Sequence, residues 1–263
     1  MNKIINVILV FTVAFFISCD VEPIGSDTPI AIIDPSLPTN PGDVNTEDGD
    51  YWPTTIGNYW DLDDLDISNN SITYEVIGEV EINGLDYSEI SQYSVQNQSG
   101  IETTANSYLR KVNGDYFFRS EEIELDAGGV TGTITSFEYI LLKDYLEVDD
   151  TWTGTFSYDT TFTGSPTITA NVNYVGTILD KGATETINGE MFEDIIKVNI
   201  QQTVTIFGTE QVAETESWYA KNIGLIKSIS YNAGIVEADY TIGDLRNTER
   251  LTLFFLLRPT PLK

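Results

Sequence analysis

Histidine is absent from this 263-residue chain, and cysteine occurs once, as Cys19. Lysine and arginine number 13 against 41 aspartates and glutamates, for a formal charge of −28. Each shortage removes a class of function. Without histidine there is no Ser-His-Asp or Cys-His nucleophile, and zinc sites of the common His and Cys types are excluded. One thiol cannot form an intrachain disulfide. The cations are too few for nucleic acid, whose binding rests on Lys and Arg neutralising phosphates. The same imbalance opposes lying flat on anionic lipid. No phosphate-cradling glycine loop or dinucleotide fingerprint is present, and no cofactor is expected.

What is there begins at the amino terminus. Asn2 and Lys3 precede a mostly apolar run from Ile4 to Ile17, broken by Asn6 and Thr12. That is signal-peptide length and shorter than the roughly 20 residues of a membrane span. Phe16-Ile17-Ser18-Cys19 closes it and resembles the lipobox of bacterial lipoproteins. The resemblance implies diacylglyceryl transfer to the Cys19 thiol, cleavage after residue 18, and acylation of the new amino terminus. Each buried methylene contributes about 0.8 kcal/mol, so two or three chains would anchor the protein without a transmembrane helix. Cys19 is thus the lipidation site, and the membrane is its expected partner.

Residues 20–50 differ in composition from the rest. Five of the nine prolines fall there (Pro23, Pro29, Pro35, Pro38, Pro41), with Ala31-Ile32-Ile33 as the only apolar cluster. Such a segment cannot bury enough surface to offset its ordering entropy and reads as a disordered tether. It would span on the order of 90 Å as polyproline or roughly 30 Å as coil. Its acidic end, Asp43 to Asp50, alternates oxygen ligands as calcium loops do, but the glycine comes one place late and no carboxylate closes it. Asp61-Leu62-Asp63-Asp64-Leu65-Asp66 reads either as one carboxylate face of a strand or as a polar turn.

From Tyr51 onward the hydrophobic period is two, with Thr, Val, Ile and aromatics frequent. In Ser71–Ile82, Ile72, Tyr74, Val76, Val80 and Ile82 share one face and Thr73, Glu75, Glu79 and Glu81 the other. Asn83-Gly84 supplies the two positive φ angles of a type I′ hairpin, returning Leu85 and Tyr87 opposite Ile82 and Val80. A second hairpin pairs Tyr108–Val112 with Asp115–Phe118 through Asn113-Gly114. Trp152, Phe156, Tyr158 and Phe162 form an aromatic face with Gly154 between them. Phe137–Leu146 is the only helix candidate.

The body also repeats itself. Ile56–Trp60 matches Val148–Trp152, Ile82–Ile90 matches Ile187–Ile195, and Ser107, Tyr108, Lys111 and Gly114 match Ser217, Trp218, Lys221 and Gly224. Order is kept across all three matches, which points to duplication. The expected fold is all-β, antiparallel sheets from two tandem similar halves, half-barrel or sandwich-like. Its parts are signal peptide 1–18, tether 19–50, first repeat 51–145, second repeat 146–246 and a tail, 247–263. The tail's Leu251–Leu257 run fits either a last buried strand or a non-native end.

By repeat equivalence Trp60, Trp152, Tyr108 and Trp218 are expected in the core. Trp52 and the tyrosines around Tyr116 are freer to form a carbohydrate- or peptide-binding platform. Lys111 and Lys221 read as solvent-facing or edge-protecting lysines. Tyr51-Trp52-Pro53, Ile56-Gly57-Asn58, Trp60 and the run Trp218–Lys227 resemble uncharacterised envelope lipoproteins of Bacteroidota, over most of residues 51–245. That resemblance implies a fold and an address, with no activity attached. Asp20 and Glu22 resemble surface-export signals of that group, although Asp20 also resembles the inner-membrane retention signal of enterobacteria. The expectation is an outer-membrane, lipid-anchored protein, on either the periplasmic or the cell-surface face, that binds or scaffolds an envelope protein or carbohydrate, for example as an accessory to an outer-membrane complex, and is not an enzyme. A carrier of apolar ligand in an open β barrel and a carboxylate-dependent hydrolase are the alternatives.

Overall fold

The computed structural model describes residues 49–65, 71–96, 102–126, 129–232 and 235–246. Cys19, the tether before residue 49 and the tail 247–263 lie outside them. Among the described residues every regular element is a strand. The first group is β1 (Tyr59–Asp64), β2 (Ser71–Ile82), β3 (Leu85–Gln96), β4 (Glu102–Val112) and β5 (Asp115–Ser120). Three shorter strands follow, β6 (Ile123–Asp126), β7 (Thr131–Ile134) and β8 (Phe137–Lys143). The last group is β9 (Thr151–Phe162), β10 (Ile168–Ile187), β11 (Glu190–Ile206), β12 (Thr209–Ala220), β13 (Gly224–Asn232) and β14 (Ile235–Arg246).

All fourteen join one antiparallel sheet in the order β3-β2-β1-β14-β13-β12-β11-β10-β9-β7-β6-β4-β5-β8, and β3 also pairs with β4. β3 thus has a strand on each side, whereas β8 pairs with β5 alone, so the sheet has a free end at β8. Strands from residues 51–145 and 146–246 meet twice, at β1–β14 and β7–β9.

Local chemistry explains the hairpins. Asn83 and Gly84 have φ of 55° and 79°, Asn113 and Gly114 51° and 83°, Asn188 and Gly189 53° and 83°. Asn and Gly tolerate that left-handed backbone, and the resulting twist matches the strands. The register follows: Ile82 faces Leu85, Val80 faces Tyr87, and Val112 faces Asp115. Phe137–Leu146, the helix candidate, instead supplies β8. Its side chains are buried or half-buried throughout, so the alternation that marks a strand is blurred.

The core runs along the inner face, with Trp60, Leu62, Val76, Ile178, Phe192, Val198 and Ile226 among its most buried members. In β11 adjacent Ile195 and Ile196 are both buried, which a regular strand with one covered face does not allow. Register shifts against β10 and a positive φ of 51° at Asp194 form the bulge that turns both inward.

Most telling is β8, whose outer edge has no strand partner. It stands on the inner face of β9 and β10 instead. The Ile140 N–H donates to the Tyr174 hydroxyl at 3.2 Å, and the Trp152 indole N–H donates to the Ile140 carbonyl at 3.1 Å. Both rings lie flat across the neighbouring strand because the residue opposite each is glycine: Gly154 opposite Tyr174 and Gly176 opposite Trp152. A Cβ on either glycine would land inside the facing ring. Phe137, Tyr139 and Phe156 then stack beside them, at 5.0 Å for Phe137–Phe156 and 5.8 Å for Tyr139–Phe156.

Gly176→Ala is expected to push Trp152 off the β8 edge. It should cost about 1–3 kcal/mol by overpacking and quench the native tryptophan environment, both measurable by urea denaturation followed by fluorescence.

Candidate functional site

The strands run between two poles. At one, here called proximal, the turns at 83–84, 113–114, 188–189 and 221–223 gather, and residues 49–52 pass between two of them. At the other, distal, lie the turns at 163–167 and 207–208 and the ends of β6 and β7. β12 connects the poles and spans roughly 36 Å at about 3.3 Å per residue.

The proximal pole is organised on Asp50, whose polar atoms are all paired. Its Oδ2 lies 2.5 Å from Lys111 Nζ, which also donates to the Trp52 carbonyl at 3.1 Å. Its Oδ1 accepts the Trp52 N–H at 2.9 Å. Its backbone N–H donates to Asn222 Oδ1 at 3.0 Å, and its carbonyl accepts the Asn222 N–H at 2.6 Å. The Lys221 side chain covers Gly49. Lys111 and Lys221, expected to face solvent or guard an edge, therefore converge on the chain that enters the body.

Tyr116 sits beneath this clamp, 1% exposed. Its hydroxyl accepts the Tyr51 N–H at 3.0 Å and lies 3.2 Å from both Asp50 Oδ1 and Asp144 Oδ2. A phenol has one proton and can donate to one carboxylate at a time. Burial raises the Tyr116 pKa, with the Asp50 charge adding to it. Burial also raises that of Asp144, more than the Tyr116 hydrogen bond lowers it.

The aromatic platform expected at Trp52 and Tyr116 is not there, because both are core residues. Trp52 packs edge-on against Trp60 at 5.9 Å and Tyr74 at 6.3 Å, and tilted against Tyr219 at 5.6 Å. Of the four aromatics expected inside, Trp60, Trp152 and Tyr108 are buried. Trp218 is half-buried on the opposite face from Ser217 and Tyr219, between Lys197 at 4.2 Å and Lys227 at 5.2 Å from its ring. The carboxylates of β1 do not share a face: Asp64 is buried beside Trp60 and Leu62, while Asp61 and Asp63 point outward. Among the described residues no group of three potential metal ligands gathers.

A second polar knot ties β3 to β8. The Tyr87 hydroxyl donates to Glu138, which also pairs with Arg110 at 3.0 Å. The Arg110 guanidinium lies 3.8 Å from the Phe117 ring centroid. Burial first, then Glu138, pushes the Tyr87 pKa up to about 12.

Among the described residues the distal pole has no such knot. β6, β7 and β9 form an open hollow of about 610 Å³ lined by Glu124, Leu125, Asp126, Thr131, Gly132, Thr133, Thr161 and Thr163. Two strands beyond β9, the β11–β12 turn carries Phe207, 82% exposed, at φ 51°. Sequence reasoning missed it. The signal was Ile-Phe-Gly-Thr between two period-two runs, a two-residue hairpin turn with an aromatic where the other such turns have Asn.

No protein-family profile and no curated protein matches the chain. A crystal structure of a candidate lipoprotein from Parabacteroides distasonis is similar at a TM-score of 0.50 and 15% identity, covering 75% of this chain and 99% of that one. A candidate exported protein of YmcC-like fold from Bacteroides fragilis is similar at a TM-score of 0.42 and 12% identity, again over 75% and 99%. The first likeness is one of fold.

Two pH effects follow. A carboxyl whose pKa rises on folding stabilises fully below its unfolded value and loses that contribution as it ionises. Asp144→Asn should therefore gain on the wild type as pH rises from about 3 to 7, as read by the difference in urea midpoints. A raised tyrosine stabilises below its ordinary value near 10 and loses that through about 12. Tyr87→Phe should flatten part of the alkaline fall in stability over that window.

Proposed function

We propose that the chain is a lipid-anchored envelope protein, attached through Cys19, whose β body binds or scaffolds a partner and performs no catalysis. The observation that carries the reading is the body's polarity. The Asp50 clamp fixes the point where the chain from Cys19 enters, and the hollow and exposed Phe207 lie at the other end of β12, about 36 Å away. An anchored protein built this way presents its distal pole away from the lipid. The fold likeness to a candidate lipoprotein is in keeping with this reading.

Residues 51–145 and 146–246 read as two copies of one unit. β1–β5 and β9–β13 are the same succession of five antiparallel neighbours, with Asn-Gly turns between β2 and β3 and between β10 and β11. The membrane assigned is the outer one, with Asp20 and Glu22 as export determinants. The carrier reading loses ground because β8 and its stacked rings occupy the inner face of β9 and β10, where an apolar ligand would sit. For the hydrolase reading, the carboxylates that line the hollow, Glu124 and Asp126, are exposed side by side on the single strand β6 and do not face each other across a cleft.

In cells, the wild type should fractionate with the outer membrane and label with palmitate, and Cys19→Ala should do neither. Retention of the alanine variant in the membrane fraction would overturn the anchor. Surface exposure is read by protease treatment of whole cells, which should degrade the wild type.

A further inference from the structure

We infer that the distal pole docks a protein partner with a basic rim around an apolar pocket, and that Phe207 is the anchor entering that pocket. The inference rests on reading the body as a binding module and names its site and the chemistry of its partner.

Phe207 is the first observation. A type I′ turn needs positive φ at both central residues, and Asn83, Asn113 and Asn188 meet that need elsewhere in the chain. Phe207 adopts the same angle with a bulky side chain, at a cost of about 1–2 kcal/mol. Its ring, 82% exposed, recovers nothing from the fold. Rigid aromatics on a fixed tip are the side chains that carry binding energy when a complementary pocket desolvates them.

Charge supplies the second, independent observation. The distal stretches of the strands, such as β6, β7, Ser157–Phe162, Ile168–Asn173, Gln201–Ile206 and Thr209–Glu214, contain no Lys or Arg. They carry Glu124, Asp126, Asp159, Glu210 and Glu214 among many Thr, Asn and Gln. The cations Arg110, Lys111, Lys143, Lys181, Lys197, Lys221, Lys227 and Arg246 lie toward the proximal pole or mid-strand, and Arg119, near the end of β5, is already paired with Glu121 at 3.4 Å. A partner must therefore bring positive charge, and an anionic surface is repelled. The hollow at the same pole, separated from the Phe207 turn by β10, fits this partner. Glu124 and Asp126 accept hydrogen bonds from an ammonium or guanidinium, and the threonine hydroxyls bind its remaining protons. With strands about 4.8 Å apart, hollow and ring form a two-point contact.

The test places photoreactive benzoylphenylalanine at position 207, or as control at Met191, a proximal residue 60% exposed, in the full-length lipidated protein in its own cells. Position 207 should give one discrete protein adduct and position 191 should not. In opened envelopes the adduct should fade as NaCl rises from about 50 to 500 mM. Phe207→Asn should lower recovery of that protein about tenfold while raising the melting temperature, since Asn suits the turn; Glu124→Gln with Asp126→Asn should lower recovery too. The inference is overturned by no adduct, by equal adducts from both positions, by insensitivity to salt, or by an adduct only to a second copy of this chain. Failure here with Cys19-dependent fractionation intact removes the docking site and leaves the anchor standing.

Discussion

A strand that ends a sheet exposes a row of N–H and C=O groups, and burying them unpaired costs about 1–3 kcal/mol each. β8 is such a strand, and its burial depends on two side chains substituting for a neighbouring backbone. The Trp152 indole and the Tyr174 hydroxyl reach the carbonyl and amide of Ile140 because Gly176 and Gly154 leave room for the rings to lie down. The exchange is reciprocal, each strand giving the glycine over which the other's aromatic rests. With that edge satisfied, β8 fills the inner face, and the Tyr87–Glu138–Arg110 knot fastens it to β3 and β4. The same device blocks an edge on which another chain could add a strand.

The strand pattern was legible because a half-buried sheet imposes period two and Asn-Gly turns announce hairpins. The registers of β2–β3 and β4–β5 followed from residues a few positions apart. What was not legible came from long range. Nothing near Asp50 in sequence indicates that Lys111 and Asn222 will hold it, so Trp52 beside it looked like an accessible aromatic when it is a wedge between Trp60 and Tyr219. Trp218 was placed inside because it matches Tyr108, yet which face a strand residue takes depends on its register with neighbours. Here Trp218 pairs with Lys197 and Lys227 and joins their face. β8 escaped because burial on both sides erases alternation.

Polarity of charge along the strands is a property of the fold rather than of any segment. Because antiparallel strands reverse at each turn, residues far apart in sequence reach the same pole, and the absence of cations at the distal end is spread over many short stretches. Read linearly, the chain is simply acidic. Folded, it has one end where carboxylates find cations, as Asp50 finds Lys111 and Asp115 finds Lys143, and another where Asp126, Asp159 and Glu214 take neutral hydrogen-bond donors.

The clamp at Asp50 also determines how the body bears load. Tension applied upstream of residue 49 arrives at one carboxylate and one peptide unit, and is divided between the turn after β4 and the turn after β12. Both strands run from pole to pole, so the pull acts along their axes. Their ladder bonds are then loaded together in shear, and none can be opened singly from the end as in a zipper. An attachment on a lateral edge of the sheet would peel strands one bond at a time. The point of entry thus gives the body its stiffest direction, along the line that joins its two poles.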